Sequence, residues 1–126
     1  MQGNQSEGIG VEMMSSTGYN DEAEKVYKVE KTEEFDRWLG KLKDGIVSAA
    51  ITNRIERFES GNIGDSEHVG DGLNELRIHY GGGYRVYWFR IGKKIVLLVL
   101  GGKKASQRRD IRKAKKLMAA YREEQQ

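Results

Sequence analysis

Arg77, His79, Arg85 and Tyr87 stand at alternate positions on either side of a glycine turn, Gly81-Gly-Gly83. Side chains alternate across a strand, and residues opposed in an antiparallel pair share a face. With Tyr80 opposite Tyr84, the pairing sets His79 against Arg85, Arg77 against Tyr87 and Glu75 against Phe89. One face then holds Leu76, Ile78, Tyr80, Tyr84, Val86 and Trp88, which is core. The other is a cationic, aromatic ledge of Glu75, Arg77, His79, Arg85, Tyr87 and Phe89. A slip of one residue would mix apolar and charged side chains on both faces, which favours this sorting. Such a ledge suits a phosphodiester. Arginine grips phosphate oxygens bidentately, an aromatic ring stacks a base, and histidine moves a proton near neutral pH. The plainer alternative is a solvated sheet face held by Arg–Glu and Arg–aromatic pairs.

A second cluster follows. Between Lys103 and Lys116 lie eight basic residues and one acid, Asp110. On a helix, Arg109, Arg112, Lys113 and Lys116 fall on the side away from Ile111, Met118 and Tyr121. Solvated helix backs ordinarily mix signs in i,i+4 pairs. A single-sign run points instead to a polyanion, with Lys103, Arg108, Arg109, Arg112, Lys113 and Lys116 as its backbone contacts.

Other chemistries lack their residues. The glycine turn joins two strands and precedes no helix, so it is not a nucleotide-phosphate loop. There are no cysteines and only two histidines, His68 and His79, which leaves no thiolate or His-rich metal site. No Ser–His–acid or Cys–His pattern has a usable setting, and no carboxylates cluster as in a two-metal nuclease. The expectation is chemistry without metal or cofactor. RNA permits this, because the 2′-hydroxyl is a built-in nucleophile and the protein need only position, move protons and stabilise charge. The longest apolar run, Ile95 to Leu100, is far short of the ~20 residues of a membrane helix. With no signal-peptide order at the N-terminus, a reduced, cytoplasmic setting is expected and no membrane partner.

The elements that must position these residues are legible in outline. The chain has 126 residues and a net charge of +3, one domain's worth of material. The first 36 residues carry three basic and nine acidic side chains, so a basic body follows an acidic start. Residues 1–25 read as a flexible acidic leader, too poor in apolar periodicity to offset its ordering entropy. Residues 26–126 form the domain. Residues 26–30 alternate as a strand, and Thr32 is placed as an N-cap with Glu33 and Glu34 in the first turn. Phe35, Trp38, Leu39 and Leu42 make one helical stripe. A second helix spans 46–60, with Val47, Ala50, Ile51, Ile55 and Phe58 inward and Gly61 as a terminating glycine. Residues 61–72 read as loop. Strands follow at 73–80, 84–90 and 94–100, the last apolar throughout and so covered on both faces. A helix at 106–124 ends the chain. The order is β-α-α-β-β-β-α, an α+β fold with its helices packed on a mainly antiparallel sheet.

Several strings carry a family likeness: Phe35-Asp-Arg-Trp-Leu39, Arg54-Ile-Glu-Arg57, Gly61-Asn-Ile-Gly-Asp65, the run Gly72 to Tyr87, and Leu100-Gly-Gly-Lys-Lys-Ala-Ser-Gln-Arg-Arg-Asp-Ile111. Over residues 26–122 the chain resembles the RelE/ParE superfamily of toxins, more closely its HigB-like "addiction module killer protein" branch. The resemblance implies the toxin of a type II toxin–antitoxin system, neutralised by a small DNA-binding antitoxin. RelE-like members cleave mRNA in the ribosomal A site without metal. The resemblance places Arg85 as an active-site cation, Arg77 as a basic residue on the preceding strand, and Lys104 as one just after the last strand. Glu75 departs from the pattern, standing where a second basic residue is common, and Asp110 lies near the place of a late tyrosine.

The expected function is therefore a metal-independent, ribosome-linked mRNA endoribonuclease that arrests growth. Arg77, Arg85 and Lys104 would hold the scissile phosphate, with His79 or Tyr87 handling protons. Two alternatives stand beside it: a non-catalytic ParE-like inhibitor of a DNA topoisomerase, and a basic nucleic-acid-binding module. The acidic leader could cover the basic face in cis.

Overall fold

The computed structural model describes residues 26–126; the leader at 1–25 and its suggested cover of the basic face lie outside them. Strand β1 (Lys28–Lys31) leads into helix α1 (Glu33–Lys41), then α2 (Gly45–Glu59). Strands β2 (Ser66–Gly70), β3 (Leu73–Ile78), β4 (Tyr84–Gly92) and β5 (Ile95–Lys103) follow. A short 3-10 turn, Lys104–Ser106, opens α3 (Gln107–Glu124). The five strands form one sheet in the order β1-β5-β4-β3-β2. Only β1 runs parallel to its neighbour, β5, so the expected α+β architecture is the one observed.

Helices α1 and α2 begin where a side-chain cap is present. Thr32 Oγ1 accepts a hydrogen bond from the Phe35 amide at 3.0 Å and donates to the Val99 carbonyl at 2.6 Å, tying α1 to β5. Asp44 caps α2 through its Oδ1. That helix ends in a Schellman turn: Gly61, at φ +100°, donates to Phe58, and Asn62 donates to Arg57.

Strand β2 is absent from the sequence expectation. Ser66-Glu-His-Val-Gly70 shows no apolar alternation, and it forms because it can pair with β3 along the sheet edge. The register of the β3–β4 hairpin also differs from expectation. Its last pair is Ile78 with Tyr84, and Arg77 faces Arg85, Glu75 faces Tyr87 and Leu76 faces Val86. The reason is the turn: Tyr80 to Gly83 form a reverse turn with Gly81 and Gly83 at positive φ. His79 and Tyr80 thus leave the strand. The sorting of residues between faces survives in β3 and β4, because the slip is even in total, while Tyr80 becomes exposed rather than core.

Both faces of the sheet are covered. On one, Phe35, Val47, Ile51, Ile55 and Phe58 pack against Leu76, Ile78, Val86, Trp88, Val96 and Leu98. On the other, Ala114 and Met118 of α3 pack against Leu73, Tyr87, Phe89, Leu97, Val99 and Leu100. The ledge of the sequence expectation is therefore half roofed. Its Tyr87–Phe89 end is core, and only the end toward the glycine turn opens outward.

Candidate functional site

Two arginines stand directly opposite each other at the open end of the hairpin, a like-charge pair that is unfavourable by itself. Glu75 resolves it. Its carboxylate is wholly buried, with Oε1 3.3 Å from Arg77 Nε and Oε2 3.5 Å from Arg85 Nε. Gln107, the first residue of α3, donates from Nε2 to the same Oε2 at 2.6 Å. The acid that departs from the family pattern is thus the hub that spaces the two cations. Arg77 is further engaged by Asp65 at 3.1 Å and by Glu67, and its charge is largely answered within the protein. Among the described residues Arg85 has one carboxylate partner, and its Nε carries no hydrogen bond.

Tyr87 belongs elsewhere. The phenol is fully buried beneath α3, with the Glu75 carboxylate near its hydroxyl. Burial, with Glu75 and Asp110 nearby, pushes its ionisation far above the ordinary tyrosine value of 10.0. Such a group neither reaches a substrate nor gives up a proton. The proton-handling role proposed for Tyr87 from sequence is corrected by this placement.

His79 lies at the surface instead. It is exposed, at the start of the turn, and its Nε2 lies 2.6 Å from Asp65 Oδ2. The bond to His79 is the main reason the Asp65 carboxyl is held below its usual 3.8, with Arg77 helping and partial desolvation opposing. An ionised carboxylate only accepts, so Nε2 carries the hydrogen of this bond, and in the neutral ring the lone pair is then on Nδ1. Asp65 was not singled out as functional by sequence, although the Gly61-to-Asp65 string was noticed. What hid it was distance: fourteen residues separate it from His79, and the pairing depends on β2 forming.

His79 lines two clefts. One, of about 270 Å³, sits over the glycine turn with Tyr80, Gly81 to Gly83, Arg85 and Lys104. Lys104 is brought there by its own amide, which donates to the Gly83 carbonyl at 3.1 Å. Its ammonium has no ion-pair partner among the described residues. The other cleft, of about 450 Å³, lies against α2. The structure therefore gathers His79, Arg85 and Lys104 at one opening, holds Arg77 behind them and removes Tyr87.

The basic run keeps its expected face. Arg108, Arg109, Arg112, Lys113 and Lys116 are exposed along α3 and Lys103 beside its start. Lys103, Arg108, Arg109 and Arg112 line a shallow hollow with Ala105 and Ser106. Asp110 is the exception, turned inward and bonded to Ser106 Oγ at 2.5 Å. Among the described residues no three His, Asp or Glu side chains gather in a metal-holding group, and no helix is long and apolar enough to cross a membrane.

An α+β domain with helices on both faces of its sheet and a cationic opening at one hairpin end is the architecture in view. Residues 37–119 match the family described as "Phage derived protein Gp49-like (DUF891)", and the chain belongs to that family. The family is part of the addiction-module killer and RelE-like toxin group, which implies an antitoxin partner. A relative described as an uncharacterized protein of Haemophilus influenzae is 46% identical over 90 residues, 71% of this chain and 91% of its own length.

Proposed function

We propose that this chain is the toxin of a toxin–antitoxin pair, in the HigB-like branch, and that it cuts mRNA on the ribosome without a metal. The observation that carries the reading is the small cleft in which His79, Arg85 and Lys104 converge. The neutral His79, oriented by Asp65, takes the proton of a 2′-hydroxyl through Nδ1. The 2′-oxygen then bonds to phosphorus and the bond to the 5′-oxygen breaks, its electron pair leaving with that oxygen. Products are a 2′,3′-cyclic phosphate and a 5′-hydroxyl, the latter protonated by water. Arg85 and Lys104 face the phosphate oxygens, whose charge grows in the transition state. Arg77 and Glu75 act as positioning residues. The basic face of α3, with Lys103, grips rRNA or mRNA backbone, and the antitoxin opposes it with acidic side chains.

The test is induction of the chain in bacteria without antitoxin, with mapping of mRNA 5′ ends. Cuts within translated frames are expected, and Arg85→Ala and His79→Ala should each abolish them, typically by 10²-fold or more. Full cutting by Arg85→Ala would remove the site. A second reading has one specific support, the extent to which Glu75, Asp65 and Glu67 answer the charge of Arg77. A surface so neutralised suits a non-catalytic, ParE-like inhibitor of a topoisomerase, and growth arrest with intact mRNA would select it.

A further inference from the structure

The larger cleft is not used by the chemistry above. It is walled by α2 through Asn53, Arg54 and Arg57, floored by Asn62 and Gly64, and closed by the β3–β4 turn at His79 and Tyr80. Its cations are unevenly answered. Arg54 Nη2 donates to the Ile63 carbonyl at 3.1 Å, while its Nη1 is buried without a partner. Arg57, one turn further along the same helix face, is exposed and has no partner among the described residues. Burial, and then the neighbouring Arg57, lowers the Arg54 guanidinium from its ordinary value. Asp65, the one carboxylate among the described residues lining the cleft, is taken up by His79 and Arg77. An added anion is what this pair of arginines lacks.

The seat of Arg54 is built. Gly64, at φ +75°, lies so close that a β-carbon there would overlap the guanidinium. Glycine is needed for the backbone angle and for the space alike. Tyr80, 40% exposed, adds an aromatic ring to the lining that also holds Asn53 and Asn62. Because His79 and Tyr80 also line the smaller cleft, the two openings share a wall, and one extended strand can occupy both.

We propose that the α2 cleft is a second nucleotide subsite for single-stranded RNA, taking a phosphodiester on Arg57 with Arg54 behind it and stacking a base on Tyr80. It rests on the ribonuclease reading in one respect: the neighbouring phosphate in the hairpin cleft is the one cut. Phosphate charge and a stacking ring are the recognition elements that single strands use, and both tolerate any base. Asn53 and Asn62 offer amide donors and acceptors to a base edge.

The test uses the full chain and a labelled RNA hexamer 2′-O-methylated at every position, which binds without being cut. Arg57→Gln and Tyr80→Leu should each weaken binding roughly tenfold. Arg57→Gln should also flatten the dependence of log affinity on log salt by about 0.7. Lys94→Gln, at the far end of the sheet, removes the same charge and should change affinity by less than about twofold. Unchanged affinity in both cleft variants overturns the subsite, as does equal weakening by Lys94→Gln or equally tight binding of a DNA duplex. Cleavage of translated mRNA by the wild-type chain is scored separately. Cutting that persists while the cleft variants bind normally removes only the subsite. Binding that depends on Arg57 without any cutting removes only the ribonuclease reading.

Discussion

The face of the sheet under α1 and α2 buries eleven side chains, none of them charged. Among these eleven, Trp88 makes a polar contact through its indole, whose Nε1 donates to Ser66 Oγ at 3.0 Å. The face under α3 starts the same way, with Leu73, Phe89, Leu97 and Met118, then changes character where the helix begins. There Glu75, Arg85 and Asp110 are buried instead. Buried ions are costly to desolvate and repay it only when paired and hydrogen-bonded. A fold seeking stability alone would have continued the apolar face. The second face gives up that gain to hold two arginines at a fixed spacing, and the apolar face is the stock of stability that permits it.

Damage to the apolar face should have the largest effect. Phe58 is 1% exposed, edge-on to Trp88 at 4.8 Å and in contact with Tyr27. Phe58→Ala should cost about 3–5 kcal/mol, read by urea unfolding, and should lower activity only through loss of folded protein. The matching change on the polar face is Gln107→Ala, which removes one neutral donor from a buried carboxylate. It should cost about 1.5–3 kcal/mol but reduce mRNA cutting beyond the fraction unfolded, because Glu75 then holds Arg85 less well. If Gln107→Ala alters stability and activity in proportion, the polar wall is only structural.

The comparison also marks what could be read from sequence. Thr32, Phe35, Ile51, Phe58 and the β5 strand were legible because capping and apolar period are local signals. Arg85 was legible as a cation beside a turn, and Lys104 as the basic residue that the family resemblance places just after the last strand. Three things were not. The turn's length sets the register, so His79 and Tyr80 were assigned to a strand that they leave. Strand β2 has no pattern of its own and exists through its partner, so Asp65 and Glu67 could not be brought to Arg77. The roof of α3 over Tyr87 is a tertiary fact: a tyrosine on an alternating strand looks the same exposed or buried.

Adjacent glycines at the end of β5 offer a sharper probe, because they point to opposite faces. A β-carbon at Gly101 would overlap the Trp38 ring of α1, and one at Gly102 would overlap the Asp110 carboxylate of α3. Trp38 is hemmed in by Phe35, its ring 5.8 Å away, so Gly101→Ala should cost about 1–3 kcal/mol through overpacking. Asp110 meets the new methyl with the tip of a flexible side chain, so Gly102→Ala should cost less in thermal unfolding. It should nonetheless disturb the Ser106–Asp110 bond and with it the start of α3. A larger loss from Gly102→Ala would mean that the polar wall is the stiffer of the two.

The smallest effect concerns Asp65, outside both cores. Its carboxyl titrates below the ordinary 3.8, first because His79 bonds to it and then through Arg77. A depressed carboxylate stabilises the fold fully above the unfolded value and loses that contribution as pH falls through the lower folded one. The unfolding midpoint of Asp65→Asn should therefore trail the wild type above the ordinary carboxylate range, and the margin should close as pH falls through and below that range. Because the pair is exposed, the margin should also narrow in high salt, as pairs buried around Glu75 should not. A margin that widens in acid would have the wrong sign for this pairing. It would mean that Asp65 is not held by His79, and that His79 lacks the orienting partner its role requires.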